Sequence, residues 1–70
     1  MRERIVTGLD IGSSQVTCVI GHRAEDEQLP SVVGVSTVEG SGLRRGVVTD
    51  METTTAAIKQ AIEEAERMAG

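Results

Sequence analysis

The residues best suited to chemistry follow the first apolar segment of the chain. Asp10 lies near the end of that segment, and Gly12, Ser13, Ser14 and Gln15 follow it closely. In a tight turn, backbone N–H groups can converge on an anion, and a glycine lets a phosphate approach the backbone. Asp10 would then hold Mg²⁺ through water, because Mg²⁺ keeps several of its own ligands. On spacing alone a simpler interpretation is favoured, in which Asp10 forms an Asx-turn and the serines are ordinary turn residues.

The remaining reactive side chains are isolated in the sequence. Cys18 lies among apolar residues, which is typical of a buried, inert thiol. His22 follows the same segment and is predicted to be solvated or hydrogen-bonded in a loop rather than to act as a ligand or base. Arg44 and Arg45 could meet an anionic partner or phosphate, but a solvated loop is favoured. One cysteine and one histidine exclude an intramolecular disulfide and a four-ligand zinc site.

Two common nucleotide-binding motifs are absent. The sequence contains no G-x-x-x-x-G-K-[ST], and residues 40–46 are one residue too long for G-x-G-x-x-G. Both motifs also require a helix directly after the glycines, whereas a strand is predicted after Gly12. With these two motifs excluded, the turn at residues 12–15 is the nucleotide-binding pattern that remains.

The elements that would position this turn are three strands and a helix. Apolar, β-branched segments predict strands at about residues 4–11, 15–23 and 31–38, joined as hairpins. The first is apolar on both faces, which predicts burial on both sides. Residues 39–46 are predicted to be loop, because they are polar and contain three glycines.

A helix is predicted at about residues 50–69. Thr49 and Glu52 match a capping box, and Gly70 supplies a C-terminal stop. The acidic run Glu63, Glu64 and Glu66 is typical of a solvated face. A stripe with helical spacing predicts the buried face, with both of its methionines in the core: Met51, Ile58, Ala61, Ile62, Ala65, Met68 and Ala69.

Composition narrows the function classes. The 70 residues include 7 basic and 11 acidic side chains and no aromatic ring, which argues against nucleic-acid binding. No segment resembles a signal peptide or a membrane span, so a cytosolic location is expected. A chain of this size without aromatic side chains would be marginally stable alone, which suggests part of a longer protein.

Three segments together resemble a known family: Gly8 to Ser14, Ser41 to Asp50 and Ala61 to Gly70. They are similar to the amino-terminal part of the FtsA family of bacterial cell-division proteins, within the actin/Hsp70/sugar-kinase superfamily. The resemblance implies an α/β fold, with residues 1–70 forming the first β-β-β-α part of an actin-like ATPase (ribonuclease H-like) subdomain. The other subdomains would lie outside these residues.

The resemblance also implies an ATP-binding scaffold at the cytoplasmic face of the inner membrane. Such a protein would polymerise like actin and link the tubulin-like FtsZ and other division proteins to the membrane through a carboxyl-terminal helix outside this chain. ATP and Mg²⁺ are the implied cofactors, and ATPase activity would be low or absent, so no catalytic residue is assigned. By the resemblance, Asp10 holds Mg²⁺ through water, and Gly12, Ser13, Ser14 and Gln15 contact phosphate.

Position 15 departs from the family pattern. Family members often carry Lys there as a phosphate ligand, and Gln15 cannot supply that charge. Two alternatives within the superfamily stay open on these residues, a sugar-kinase-like phosphotransferase and an ATP-binding protein of pilus assembly. In the actin-like arrangement that the resemblance implies, the first strand is central, and the later strand on its other side would lie outside these residues. Ile5 to Ile11 are therefore expected to expose backbone N–H and C=O groups here, which favours association with another strand.

Overall fold

The sheet and its helix form the main body of the molecule. The computed structural model describes residues 3–70. Three antiparallel strands, β1 (Glu3–Ile11), β2 (Gln15–Ala24) and β3 (Ser31–Glu39), form a sheet in the order β1-β2-β3. A short hairpin of β4 (Leu43–Arg44) and β5 (Val47–Val48) leads into the helix α1 (Met51–Ala69). The predicted α/β fold of three strands followed by a helix is confirmed.

The core lies between α1 and one face of β2 and β3. In β2 the alternate residues Val16, Cys18 and Ile20 are buried, as expected for a strand with one covered face. The helix contributes small side chains to this core, and its buried residues are Thr54, Ala57, Ala61 and Ala65. Alanines at this spacing allow the helix axis to lie close to the sheet.

Gly34 in β3 marks the closest approach of helix and sheet. A Cβ atom added at Gly34 would overlap the backbone carbonyl oxygen of Ala65. Two residues along the strand, the Ser36 hydroxyl donates a hydrogen bond to the backbone carbonyl of Ala61. The helix backbone therefore rests directly on β3 and not on a layer of side chains.

Strand β1 was predicted to be buried on both sides. Within residues 3–70 this prediction was wrong. Every residue of β1 is exposed, including Ile5 at 64% and Leu9 at 44%. The helix covers β2 and β3 but leaves β1 uncovered. An open groove of about 340 Å³ runs beside it, lined in part by Ile5, Ile20 and Ile62.

The prediction that residues 39–46 form only a loop was wrong, because β4 lies within this segment and pairs with β5. Arg45 and Gly46 turn the hairpin with φ of 50° and 78°, the two positive values that a type I′ turn requires. The hairpin is tied to the start of α1, where the Thr54 hydroxyl donates to the carbonyl oxygen of Ser41 at 2.5 Å. Ser41 is almost fully buried.

The predicted capping box is wrong by one residue, because Asp50 and not Thr49 is the N-cap. The Asp50 carboxylate accepts from the Thr53 backbone N–H at 3.1 Å and from the Thr53 hydroxyl at 2.6 Å. The Thr49 N–H and hydroxyl instead donate to the Gly42 carbonyl, at 2.7 and 3.1 Å. At the other end Gly70 caps the helix by donating to the Glu66 carbonyl.

The two methionines predicted in the core are exposed. Met51 is 72% and Met68 is 62% accessible, because the buried part of the helix runs only from Thr54 to Ala65. Both methionines lie beyond it, where no strand of residues 3–70 covers them.

The Asp50 cap should make the stability of the helix depend on pH. The side-chain hydrogen bond from Thr53, followed by the Thr53 backbone bond, lowers the pKa of the Asp50 carboxyl below its ordinary value. A lowered folded-state pKa means that the stabilisation is fully present above the unfolded-state pKa of about 3.9. It is lost as the pH falls through the lower folded-state value.

We therefore expect Asp50→Ala to lower the thermal midpoint at pH 7 and to have little effect at about pH 2. Asp50→Asn is the matched control, since it retains a capping oxygen without a titrating charge. Far-ultraviolet circular dichroism during heating measures the midpoint. An Asp50→Ala deficit of equal size at both pH values would contradict an ionised cap.

Candidate functional site

The turn between β1 and β2 is a two-residue hairpin loop. The Gly12 N–H donates to the Gln15 carbonyl at 2.8 Å, which leaves Ser13 and Ser14 at the exposed tip. The Gly40 N–H donates to the Ser14 carbonyl at 2.7 Å, so the turn is also held by the segment after β3. These bonds fix the loop from both sides.

Asp10 lies on the face of the sheet opposite α1. Its β1 neighbours Leu9 and Ile11 pair with Cys18 and Val16, which are buried under the helix. Successive side chains alternate between faces, so Asp10, paired with Thr17, points to the other side. The carboxylate is exposed there.

Glycines flank Asp10 along the strand on that same face, at positions 8 and 12. A Cβ atom at Gly8 would have no neighbour within 4 Å, and one at Gly12 would make only an ordinary contact, 3.4 Å from the Gln15 carbonyl oxygen. Neither glycine has the positive φ that would exclude a side chain. Packing and backbone conformation within residues 3–70 therefore do not account for the missing side chains.

Sequence reasoning singled out Asp10 and residues 12–15 but missed Gly8. The two-residue period of a strand would have found it, since residues 8, 10 and 12 share one face. The structure brings Asp10 and the turn to one end of the β1–β2 hairpin. Their predicted roles toward Mg²⁺ and phosphate stay predictions.

The other chemical candidates lie apart from this turn. Cys18 is fully buried, and its burial, with a smaller contribution from the Glu66 carboxylate, raises the pKa of the thiol. This environment is typical of an inert cysteine. His22 lies within β2 and not in a loop, with Nε2 at 3.4 Å from a carboxylate oxygen of Glu3.

The two arginines lie in different elements. Arg44 lies in β4, not in a loop, whereas Arg45 lies in the turn, and both are exposed. No group of three or more His, Cys, Asp or Glu side chains in residues 3–70 is arranged to hold a metal ion directly.

Similar proteins indicate the family. No protein-family model matches the chain. The chain is 45% identical over 67 residues to the cell division protein FtsA of Pseudomonas aeruginosa, a match that covers 96% of this chain. It is 40% identical to FtsA of Neisseria meningitidis over 97% of this chain, and 39% identical to FtsA of Streptococcus pneumoniae over 99%. The chain belongs to the FtsA family.

This FtsA-family chain is short beside its relatives. The matches cover 16% of the Pseudomonas protein, 16% of the Neisseria protein and 15% of the Streptococcus protein. Its three strands and helix are consistent with part of an actin-like FtsA subdomain. No helix among residues 3–70 combines the length and the apolar character needed to cross a membrane.

Proposed function

We propose that this chain supplies the first phosphate-binding turn of an ATP-binding cell-division scaffold. In this proposal Asp10 holds Mg²⁺ through water, and residues 12–15 face the phosphates of ATP. Polymerisation, attachment to the cytoplasmic face of the membrane and recruitment of FtsZ would depend on parts of the protein outside these 70 residues. The expected role is assembly, with little or no ATP hydrolysis.

The observation that carries the proposal is the absence of side chains on both sides of Asp10, at Gly8 and Gly12. Gly8 and Gly12 flank the exposed carboxylate on one face, and side chains would fit at both positions. A glycine at a position where a side chain would fit is expected when another group must approach the backbone closely. Phosphates with their hydrated cation are a group of suitable size and charge.

The hydrogen bonds of the turn limit which groups contact phosphate. The Gly12 N–H is already engaged with the Gln15 carbonyl, so the backbone donors of Ser13 and Ser14, with their hydroxyls, are the better candidates. Gly12 would contribute access, and Gln15 a neutral amide donor. A neutral donor is weaker toward phosphate than a charged one, so reduced affinity is expected relative to a family member with Lys at this position.

The charge of Asp10 implies that binding depends on Mg²⁺. A carboxylate next to phosphates repels them unless a cation lies between the two. When bound, Mg²⁺ would neutralise this repulsion and orient the phosphates. Asp10 would anchor the water shell of the ion without contacting ATP directly.

Mutation of Asp10 in the full-length protein tests the proposal. Asp10→Asn should weaken Mg·ATP binding by about tenfold or more, the loss expected for a charge-assisted contact. Asp26→Asn is the matched control, because Asp26 is an exposed acid in the β2–β3 turn, at the other end of β2. Isothermal titration calorimetry with and without Mg²⁺ measures both affinities.

Two results would overturn the proposal. One is equal Mg·ATP affinity in Asp10→Asn, Asp26→Asn and the unmodified protein, which would support the Asx-turn interpretation. The other is tight Mg·ATP binding by the 70-residue chain alone. One turn encloses little of the ligand, so the chain alone should bind weakly or not at all.

A further inference from the structure

Two threonine hydroxyls lie in the same row of the sheet as Asp10. The strand register places Asp10 of β1 opposite Thr17 of β2, and Thr17 opposite Thr37 of β3. The neighbours of Thr17 along β2, Val16 and Cys18, are buried under α1, so Thr17 and its two partners lie on the other face of the sheet. A carboxylate and two hydroxyls therefore cross the three strands side by side on one face.

The next row on this face has a different chemistry. It contains Gly8, Val19 and Val35, whose side chains offer no hydrogen-bonding group. Threonine and valine are both β-branched and both suit a strand, so the sheet itself does not require hydroxyls in one row and methyl groups in the next. The hydroxyls occur in the row that carries the carboxylate.

The Thr17 hydroxyl is held in place by Thr37. The Gly40 N–H donates to the Ser14 carbonyl, and the alternation of pairs from that point makes Thr17 and Thr37 a non-hydrogen-bonded pair, in which side chains lie closest. Their hydroxyl oxygens are 3.3 Å apart and share a hydrogen bond. The branched Cβ of threonine also limits rotation about χ1, so the direction of the Thr17 hydroxyl is fixed.

Thr17 keeps the capacity to accept a hydrogen bond whichever hydroxyl is the donor. A hydroxyl has one donor and two acceptor lone pairs. If Thr17 donates to Thr37, both of its lone pairs remain, and if Thr37 donates, one remains. Within residues 3–70 no hydrogen bond joins either hydroxyl to the Asp10 carboxylate. A water molecule between the two side chains would satisfy acceptors on both.

We propose that Thr17 is a further positioning residue of the phosphate site, whose hydroxyl accepts a hydrogen bond from the water shell of the cation held at Asp10. This role rests on the proposed function of the turn. Water bound to a divalent cation is a strong donor, and acceptors beyond the first shell orient the ligands of a metal. Asp10 supplies a charged acceptor and Thr17 a neutral one, which adds no negative charge beside the phosphates.

Thr17→Val in the full-length protein tests this role. Valine retains the branched shape and removes the hydroxyl, so the dissociation constant for Mg·ATP should rise about three- to tenfold. Thr17→Ser retains the hydroxyl and should bind Mg·ATP like the unmodified protein. Isothermal titration calorimetry measures each affinity.

Two control variants separate this role from support of the sheet. Thr37→Val breaks the same hydrogen bond as Thr17→Val but leaves the Thr17 hydroxyl, so it should weaken Mg·ATP binding clearly less. Thr7→Val makes the same replacement on the helix side of β1, where Thr7 lies opposite Ile20, and should not change the affinity. A role confined to sheet stability would give Thr17→Val and Thr37→Val equal losses.

Combination with Asp10→Asn distinguishes failure of the Thr17 role from failure of the proposed function. If both residues act on one water shell, Thr17→Val should cost much less in an Asp10→Asn background than in the unmodified protein. Additive losses, equal losses in Thr17→Val and Thr37→Val, or a Thr17→Ser variant as weak as Thr17→Val would overturn the Thr17 role. Unchanged Mg·ATP affinity in Thr17→Val would do the same and, if Asp10→Asn still binds weakly, would leave the proposed function standing. Unchanged affinity in Asp10→Asn would overturn both.

Discussion

Gly34→Ala should lower the free energy of unfolding by about 2 kcal/mol or more, whereas Gly8→Ala should leave it unchanged or raise it slightly. A Cβ at Gly34 would overlap the Ala65 carbonyl oxygen and approach the Ala69 side chain to 3.2 Å. The obstacle is helix backbone, which cannot rotate away as a side chain can. Overpacking of this kind typically costs about 1–3 kcal/mol and occasionally more.

Gly8→Ala is the matched control because it makes the same substitution in another strand of the same sheet. No atom lies within 4 Å of a Cβ at Gly8, and alanine in a strand is favoured over glycine by about 0.5–1 kcal/mol. Urea unfolding followed by circular dichroism suits a chain with no aromatic side chain. Equal midpoints for the two variants would contradict direct contact between the helix backbone and β3.

Thr54→Val should be the second strongly destabilising change, by about 1–3 kcal/mol. The Thr54 hydroxyl donates to the Ser41 carbonyl at 2.5 Å and lies 2.9 Å from the Asp50 carbonyl. Valine keeps the shape of the side chain but removes the hydroxyl donor. The carbonyl of the buried residue Ser41 therefore loses this hydrogen bond. The β4–β5 hairpin should loosen from the helix as a result.

Thr55→Val controls for the helix propensity of valine, since Thr55 is exposed one position along the same helix. Urea unfolding gives the stability of each variant, and the backbone amide shifts of Leu43 to Val48 report on the hairpin. A Thr54→Val variant as stable as Thr55→Val, with unchanged hairpin shifts, would show that the bond to Ser41 contributes nothing measurable.

The pattern of apolar residues predicted the three strands and their connection by hairpins. It did not predict which element covers each face of the sheet. Val16, Cys18 and Ile20 are buried because the helix lies over them. Ile5 and Leu9 of β1 have the same apolar character and are exposed. A pattern of apolar residues indicates which side chains favour burial, and a packed neighbour decides which ones achieve it.

The boundaries that sequence reasoning missed depend on contacts distant along the chain. Thr49 and Asp50 are both good N-cap residues. The Gly42 carbonyl engages the backbone N–H and hydroxyl of Thr49, so the helix begins one residue later than predicted. The β4–β5 hairpin turns at Arg45–Gly46, which is weaker as a hairpin signal than Asn-Gly or Asp-Gly.

Most residues of the candidate site were predicted from the sequence, with Gly8 as the exception, but the contacts around the site were not. Asp10 and the hairpin turn followed from the sequence, because a carboxylate, a glycine and two hydroxyls occur together after an apolar segment. The hydrogen bond from the Gly40 N–H to the Ser14 carbonyl joins residues that are far apart in the chain, and no local sequence pattern indicates it.

Because α1 covers β2 and β3 but not β1, we expect that the chain does not unfold as one cooperative unit. β1 is joined to the rest by a single ladder with β2, whereas β2 and β3 are also held by the buried side chains of the helix. Detachment of β1 exposes little additional apolar surface, since its residues are already exposed. The strand should therefore separate in a subglobal unfolding step of lower free energy, leaving β2, β3 and α1 as the more persistent foldon.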